Sequence, residues 1–159
     1  MKAKVVFESV YGNTEKVARA IGVALEAGAE VQVIPVTEVD LEHLADVHLL
    51  VVGSPTQAFS PIAGTKNLLK QLGSAQLKRI KFAAFDTRLS VEEVNSRVFS
   101  LMARLFGYAA EKIDRGLQGK GGVRIHEPAG FIVAGNEGPL KEGEIERAAA
   151  WAREILQKF

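Results

Sequence analysis

Apolar positions along this chain fall alternately into short continuous runs and helical stripes. Val5, Val6 and Phe7 form a short run, after which Val17, Ala18, Ile21, Ala24 and Leu25 recur with the three-and-four spacing of a helix face. Glu30 to Val36 alternates as an edge strand would, while His48 to Val52 and Phe82 to Phe85 read as strands covered on both faces. Asp40 to Ala45 has room for a short helix only, and Leu68, Leu69 and Leu72 mark another over Gly64 to Leu72. At Ser90-Val91-Glu92-Glu93 the chain matches a capping box. The stripe that follows, Val94, Val98, Leu101, Met102, Leu105 and Ala109, predicts a single helix facing the core. Gly116, Gly119, Gly121 and Gly122 then break the pattern. Val123 and Phe131 to Val133 read as a fifth strand interrupted at Pro128. Ile145, Ala148, Ala149, Ala152, Ile155, Leu156 and Phe159 give a closing helix.

Strands alternating with crossover helices predict an α/β fold, a doubly wound parallel sheet with helices on both faces, formed as one domain over residues 1–159. In such sheets ligands sit in the crevice beyond the carboxyl ends of the strands. The segments leaving the first, third and fourth strands there are Ser9 to Thr14, Ser54 to Phe59 and Asp86 to Leu89. All three are placed around one site.

The first of them, Ser9-Val10-Tyr11-Gly12-Asn13-Thr14, has the makings of a phosphate cradle. It sits at a helix N-terminus, where amides without intrahelical partners and the aligned peptide dipoles favour an anion. No Lys or Arg lies within it. Ser9, Tyr11, Asn13 and Thr14 carry side-chain donors, and Gly12 permits a positive φ or a close approach to an oxygen.

This turn after a first strand resembles the flavodoxins, whose first strand ends in a Ser/Thr-rich turn finishing in Gly-Asn-Thr. The resemblance spans the chain and implies the flavodoxin-like strand order 2-1-3-4-5 and one non-covalent FMN. It also implies that Pro55, Thr56, Gln57, Ala58 and Phe59 form one flavin-ring loop, and Asp86, Thr87, Arg88 and Leu89 the other. In the first of these, Pro55 is expected to stiffen the exit from the third strand, and Phe59 offers either a stacking face or a core side chain. Backbone groups near Gln57 and Ala58 are expected at the flavin N5 edge, where many flavodoxins have a glycine; Ala58 lacks that freedom. The second loop has no Tyr or Trp, so the ring is expected to be unusually open. Thr87 and nearby amides are expected at the pyrimidine edge. Arg88 is either solvated or close to the flavin, where at roughly 6 Å and an effective dielectric near 20 it would favour the reduced anion by about 3 kcal/mol.

Composition narrows the function further. The 159 residues carry no cysteine, which excludes disulfides, thiolate metal sites and cysteine nucleophiles. A net charge of +1 gives no reason to expect nucleic acid, and departs from the strongly acidic balance of many flavodoxins. No apolar run approaches the roughly 20 residues of a membrane span, and the N-terminus reads straight into a strand, so a cytoplasmic protein without membrane insertion is the default. His43, His48 and His126 lie on separate elements, and no metal is expected. Phe7 occupies the glycine position of a nucleophile elbow, Gly64-Thr65-Lys66 lacks the remainder of a Walker motif, and Ser54 and Pro55 stand where response regulators need an aspartate. The expected function is therefore an electron carrier between redox partner proteins. The alternatives are a small NAD(P)H-dependent FMN quinone reductase and a flavin-free interaction domain with the same fold. Oligomeric state is not legible, nor is the purpose of the turn-rich stretch from Gly135 to Gly143.

Overall fold

The computed structural model describes every residue from Met1 to Phe159 except Ala45, with the side chain of His43 also outside the description. The elements in chain order are β1 (Lys2–Phe7), α1 (Asn13–Leu25), β2 (Glu30–Pro35), β3 (Leu49–Gln57), β4 (Ser60–Pro61), α2 (Ala63–Gln71) and α3 (Ser74–Leu77). They continue with β5 (Lys81–Leu89), α4 (Val91–Val94), α5 (Arg97–Phe106), α6 (Ala109–Gly119), β6 (Val123–Arg124), β7 (Ala129–Val133) and α7 (Glu144–Gln157). The expected short helix of Asp40 to Ala45 is a 3-10 turn over Glu42–Leu44, and Ala45 lies outside the described residues.

The main sheet is parallel and runs β2-β1-β3-β5, followed by a fifth position that β6 and β7 share along β5. This is the order 2-1-3-4-5. The fifth strand divides where the sequence predicts: Val123 and Arg124 pair Lys81 and Phe82, and pairing resumes at Ala129 opposite Phe85. Pro128 lies in the gap, where it has no N–H to offer a ladder. The short β4 is antiparallel to the end of β3.

Alternate residues of each strand feed opposite layers. Val5, Phe7, Val51 and Phe85 pack with Val17, Ile21 and Leu25 of α1 and with Ala152 and Ile155 of α7. Val6, Leu50, Val52, Phe82 and Ala84 pack with Leu68, Leu72, Ile113 and Leu117 on the side of α2 and α6. In the first layer Trp151 stands edge-on to Phe85 and Phe131, with ring centroids 6.4 and 6.3 Å away. The face of α7 is therefore Ala148, Trp151, Ala152 and Ile155, whereas Ile145 and Phe159, expected on it, are exposed.

Two expectations need correction. The stripe from Val94 to Ala109 is divided among three helices, because α4 ends at Asn95 in a left-handed conformation and α5 ends at Gly107, also at positive φ. Of that stripe Ala109 reaches the core, on α6, while Val98, Leu101 and Leu105 face solvent. Nor does Ser90 cap a helix through its side chain; Ser96 does so for α5, its Oγ accepting from the Phe99 amide at 3.3 Å. The second correction concerns β3 and β5, which continue through Gln57 and Leu89, so both expected ring loops begin as strand. Pro55 pairs with Thr87 inside the sheet instead of stiffening an exit. It is tolerated because β1 has already ended opposite Gly53, leaving β3 with one free side.

Gly53 leaves space for a ring. It lies between Phe7 and Phe85 in the ladder, and a Cβ there would fall 2.0 Å from the Phe85 ring. Phe85 is fully buried and has nowhere to withdraw. Gly53→Ala is expected to cost about 1–3 kcal/mol through overpacking, read as a lowered urea midpoint; an unchanged midpoint would contradict this packing.

Candidate functional site

The carboxyl ends of β1, β3 and β5 border a cleft of about 480 Å³. Ser9, Val10, Tyr11, Asn13 and Thr14 line one part of it, and Pro55, Thr56, Gln57, Ala58, Phe59, Thr87, Arg88 and Leu89 line the rest. Gly12 and Asp86 do not line it. The cleft is completed by Phe99, Tyr108, Val133 and Asn136, which sequence reasoning missed.

At the end formed by the first turn, Gly12 takes φ +85° and delivers the chain into α1. Ser9 Oγ accepts from the amides of Gly12 and Glu15 at 3.1 and 3.4 Å. Among the described residues, the amides of Val10, Tyr11, Asn13 and Thr14 have no acceptor. Open amides at a helix start suit an anion's oxygens, and the helix dipole adds positive potential. The Thr14 and Thr87 hydroxyls meet at 2.8 Å, both buried, and fix the first turn of α1 against β5.

The turn-rich segment after β7 closes over this same end. Asn13 Nδ2 donates to the Glu137 carbonyl at 3.0 Å, and Asn136 lines the cleft. Glu144 secures the base of the segment: its carboxylate accepts from the Ile132 amide at 2.6 Å and from Arg147 Nε at 2.9 Å. Burial raises the Glu144 carboxyl, but the bonds from Arg147 and Ile132 outweigh it and hold the group below its ordinary value.

The other end of the cleft is aromatic. Ala58 and Phe59, at φ 45° and 58°, form a two-residue hairpin turn between β3 and β4. Two residues with a Cβ in the left-handed region cost about 1–2 kcal/mol each. Phe59 is directed toward α5, its ring centroid 5.4 Å from Phe99 and 6.3 Å from Phe106. Tyr108 and Phe99 supply aromatic lining that Asp86 to Leu89 lacks. Both come from beyond β5, too distant in sequence for a loop-by-loop reading to find them.

Arg88 is neither solvated nor an unopposed charge. Its Nε and Nη2 lie 2.6 and 2.8 Å from the two oxygens of Asp86, and its Nη2 is 3.3 Å from Glu111. Its guanidinium covers the Tyr108 ring at 3.8 Å. Its charge is opposed by two carboxylates of the protein itself.

Asp86 itself is fully buried and turned away from the cleft. It accepts from Thr56 Oγ1 at 3.1 Å and from the Ala110 amide at 2.8 Å, while Thr56 Oγ1 accepts from the Ala109 amide at 2.9 Å. The carboxylate therefore caps α6 and ties it to β3 and β5. Burial raises its pKa, although Arg88 and the Ala110 amide pull the other way. Among the described residues there is no group of three side chains suited to a metal ion.

The flavodoxin family model matches residues 5–151. The chain belongs to the flavodoxin family. No curated protein sequence matches it. Among solved structures it is similar to a flavodoxin from the domain Archaea, with 22% identity, a TM-score of 0.75, and 99% of this chain and 98% of the other covered. Oxidised Flavodoxin 2 from Bacillus cereus gives 21% identity and a TM-score of 0.76 with both chains fully covered. Oxidised Flavodoxin 1 from the same organism gives 18% and 0.76, over 99% of this chain and 98% of the other. These likenesses concern the fold; membership of the family implies a flavin.

Two outcomes test this framework. Asp86→Ala leaves the Ala110 amide and the Thr56 hydroxyl without their acceptor and Arg88 with Glu111 alone, and should cost roughly 3–5 kcal/mol, measured by chemical denaturation; a cost below 1 kcal/mol would show the network to be incidental. For Glu144 the folded pKa is lowered, so its contribution is complete above the unfolded value of about 4.3 and disappears as pH falls through the folded value. Glu144→Gln should therefore flatten the acid limb of the stability–pH curve, and an unaltered limb would remove Glu144 from the account.

Proposed function

We propose that this chain binds one FMN non-covalently in the cleft and carries electrons between redox partner proteins. One observation carries the reading: a single cleft joins the open amides at the start of α1 to an aromatic lining of Phe59, Phe99 and Tyr108. A mononucleotide needs both ends at once, an anion site for its phosphate and a slot with aromatic faces for its ring. The cleft volume lies within the usual range for small-ligand sites, about 300–1,000 Å³.

The residues divide the work. Amides of Val10, Tyr11, Asn13 and Thr14, with the hydroxyls of Ser9 and Tyr11, hold the phosphate. Asn136 closes over it. Gln57, Ala58 and Phe59 face one side of the ring slot, and Thr87 and Leu89 border the edge next to β5. Tyr108, held flat by Arg88, and Phe99 exclude water from the rest. Bound FMN supplies the one- and two-electron redox chemistry itself. The open quinone-reductase site considered from sequence loses its support, because Arg88 is neutralised and aromatic side chains border the slot.

The phosphate is the discriminating group. FMN is expected to bind with riboflavin at least 100-fold weaker, measured by quenching of flavin fluorescence on titration with protein. Equal affinities would remove the phosphate from the site, and no binding of either would remove the flavin.

A further inference from the structure

The stripe of apolar residues on α5 is uncovered. Val98 is 71% exposed, Leu101 55% and Leu105 67%, all on one side of a ten-residue helix. The helix's opposite side is occupied, since Phe99 and Phe106 meet Phe59 and Ala103 is buried. Arg97 and Arg104 accompany the stripe, and among the described residues neither forms an ion pair. From Asn95 to Tyr108 the sequence has no acidic residue. Of the two glutamates on the preceding α4, Glu93 pairs with Lys141, while Glu92 borders the same shallow depression as Arg97, Leu101 and Arg104, where the two arginines outnumber it.

The location makes this face more than an unpartnered surface. The helix that crosses from β5 to the fifth strand and packs on the sheet is α6, so α4 and α5 are an excursion that the doubly wound topology does not require. That excursion ends at the cleft, where Phe99 is part of the lining and Leu101, two residues on, faces solvent. Val10 and Tyr11, at the phosphate end of the same cleft, are also half exposed.

We propose that α5 is the docking face for an acidic electron-transfer protein whose contact surface has an apolar centre. This inference rests on the FMN reading above. Carboxylates of the partner meet Arg97 and Arg104 while its apolar centre covers Val98, Leu101 and Leu105, which brings its redox centre toward the Phe99 side of the cleft. A helix of ten residues is about 15 Å long, too short for the 1,200–2,000 Å² of a stable complex but suited to a transient redox encounter. A second copy of this chain is a poor occupant, because two α5 helices packed antiparallel would set Arg97 of one against Arg104 of the other.

The test uses FMN-loaded protein with a reduced acidic two-iron ferredoxin as donor and, for the flavin once reduced, an oxidised basic c-type cytochrome as acceptor, each followed by stopped flow at low ionic strength. Steered association is sensitive to charge at the contact. The double substitution R97E/R104E should slow reduction by the ferredoxin at least tenfold and leave the cytochrome rate unchanged or faster. Arg153→Glu, a single charge reversal on α7, should alter neither by more than about twofold. Leu101→Gln should slow the ferredoxin reaction without changing its salt dependence. In parallel, titrating the flavin-free chain with ferredoxin should shift amide resonances of Val98, Leu101, Arg104 and Leu105. Failure to take up FMN would defeat the functional reading and leave this binding result to stand by itself. Ferredoxin rates unaffected by R97E/R104E, or resonance shifts elsewhere, would overturn the docking proposal. So would a dimer, or co-sedimentation with phosphatidylglycerol vesicles, that Leu101→Gln abolishes.

Discussion

A carboxylate with no access to water must be answered by charge and hydrogen bonds, and the carboxyl edge of this sheet is arranged around answering Asp86. Arg88 supplies the charge. The Thr56 hydroxyl and the Ala110 amide of α6 supply the remaining donors, and Glu111 holds the far side of the guanidinium. Each partner comes from a different element: β3, β5 and the start of α6. Their convergence lets β3 and β5 run on past the end of β1 as paired strand, and it sets Tyr108 flat beneath Arg88 at the cleft. Breaking a buried pair of this kind exposes an uncompensated charge to a low dielectric, so the arrangement tolerates little variation.

This network also decides the electrostatic character of the cleft. Arg88 lines it, yet its positive charge is directed to two carboxylates. On the first-turn side of the cleft the positive potential comes from uncharged groups, the open amides and the dipole of α1. Such groups hold an anion by fixed geometry, which is why the left-handed Gly12, the Thr14–Thr87 contact and the Asn13 bond to Glu137 matter together. They keep the donors pointing at one place.

The excursion between β5 and α6 shows how a strong local pattern is put to another use. Its residues have the spacing of a core helix, and the inner side of α5 does pack, onto the strained hairpin at Ala58 and Phe59. The outer side is left in water, with two arginines beside it. Contiguous exposed apolar surface is the physical basis for proposing contact at this face.

What the sequence by itself determined follows from local rules. Alternation of apolar runs with helical stripes marked the doubly wound sheet and its split fifth strand, because burial on both faces leaves strands few polar positions, while the strand order came from the family resemblance. The turn from Ser9 to Thr14 was legible as a helix start with open amides, since those lie in consecutive backbone groups. Tertiary structure decided everything that depends on meetings between distant residues. That Asp86 is held buried for Arg88 to pair with turns on Thr56 and the Ala110 amide, 30 and 24 residues from it, which fill the carboxylate's other positions. Whether Val98, Leu101 and Leu105 are core or surface turns on which helix reaches the sheet first, and Ala109 to Leu117 of α6 takes that place. Periodicity tells which side of a helix is apolar; only the packed chain determines whether anything stands opposite it.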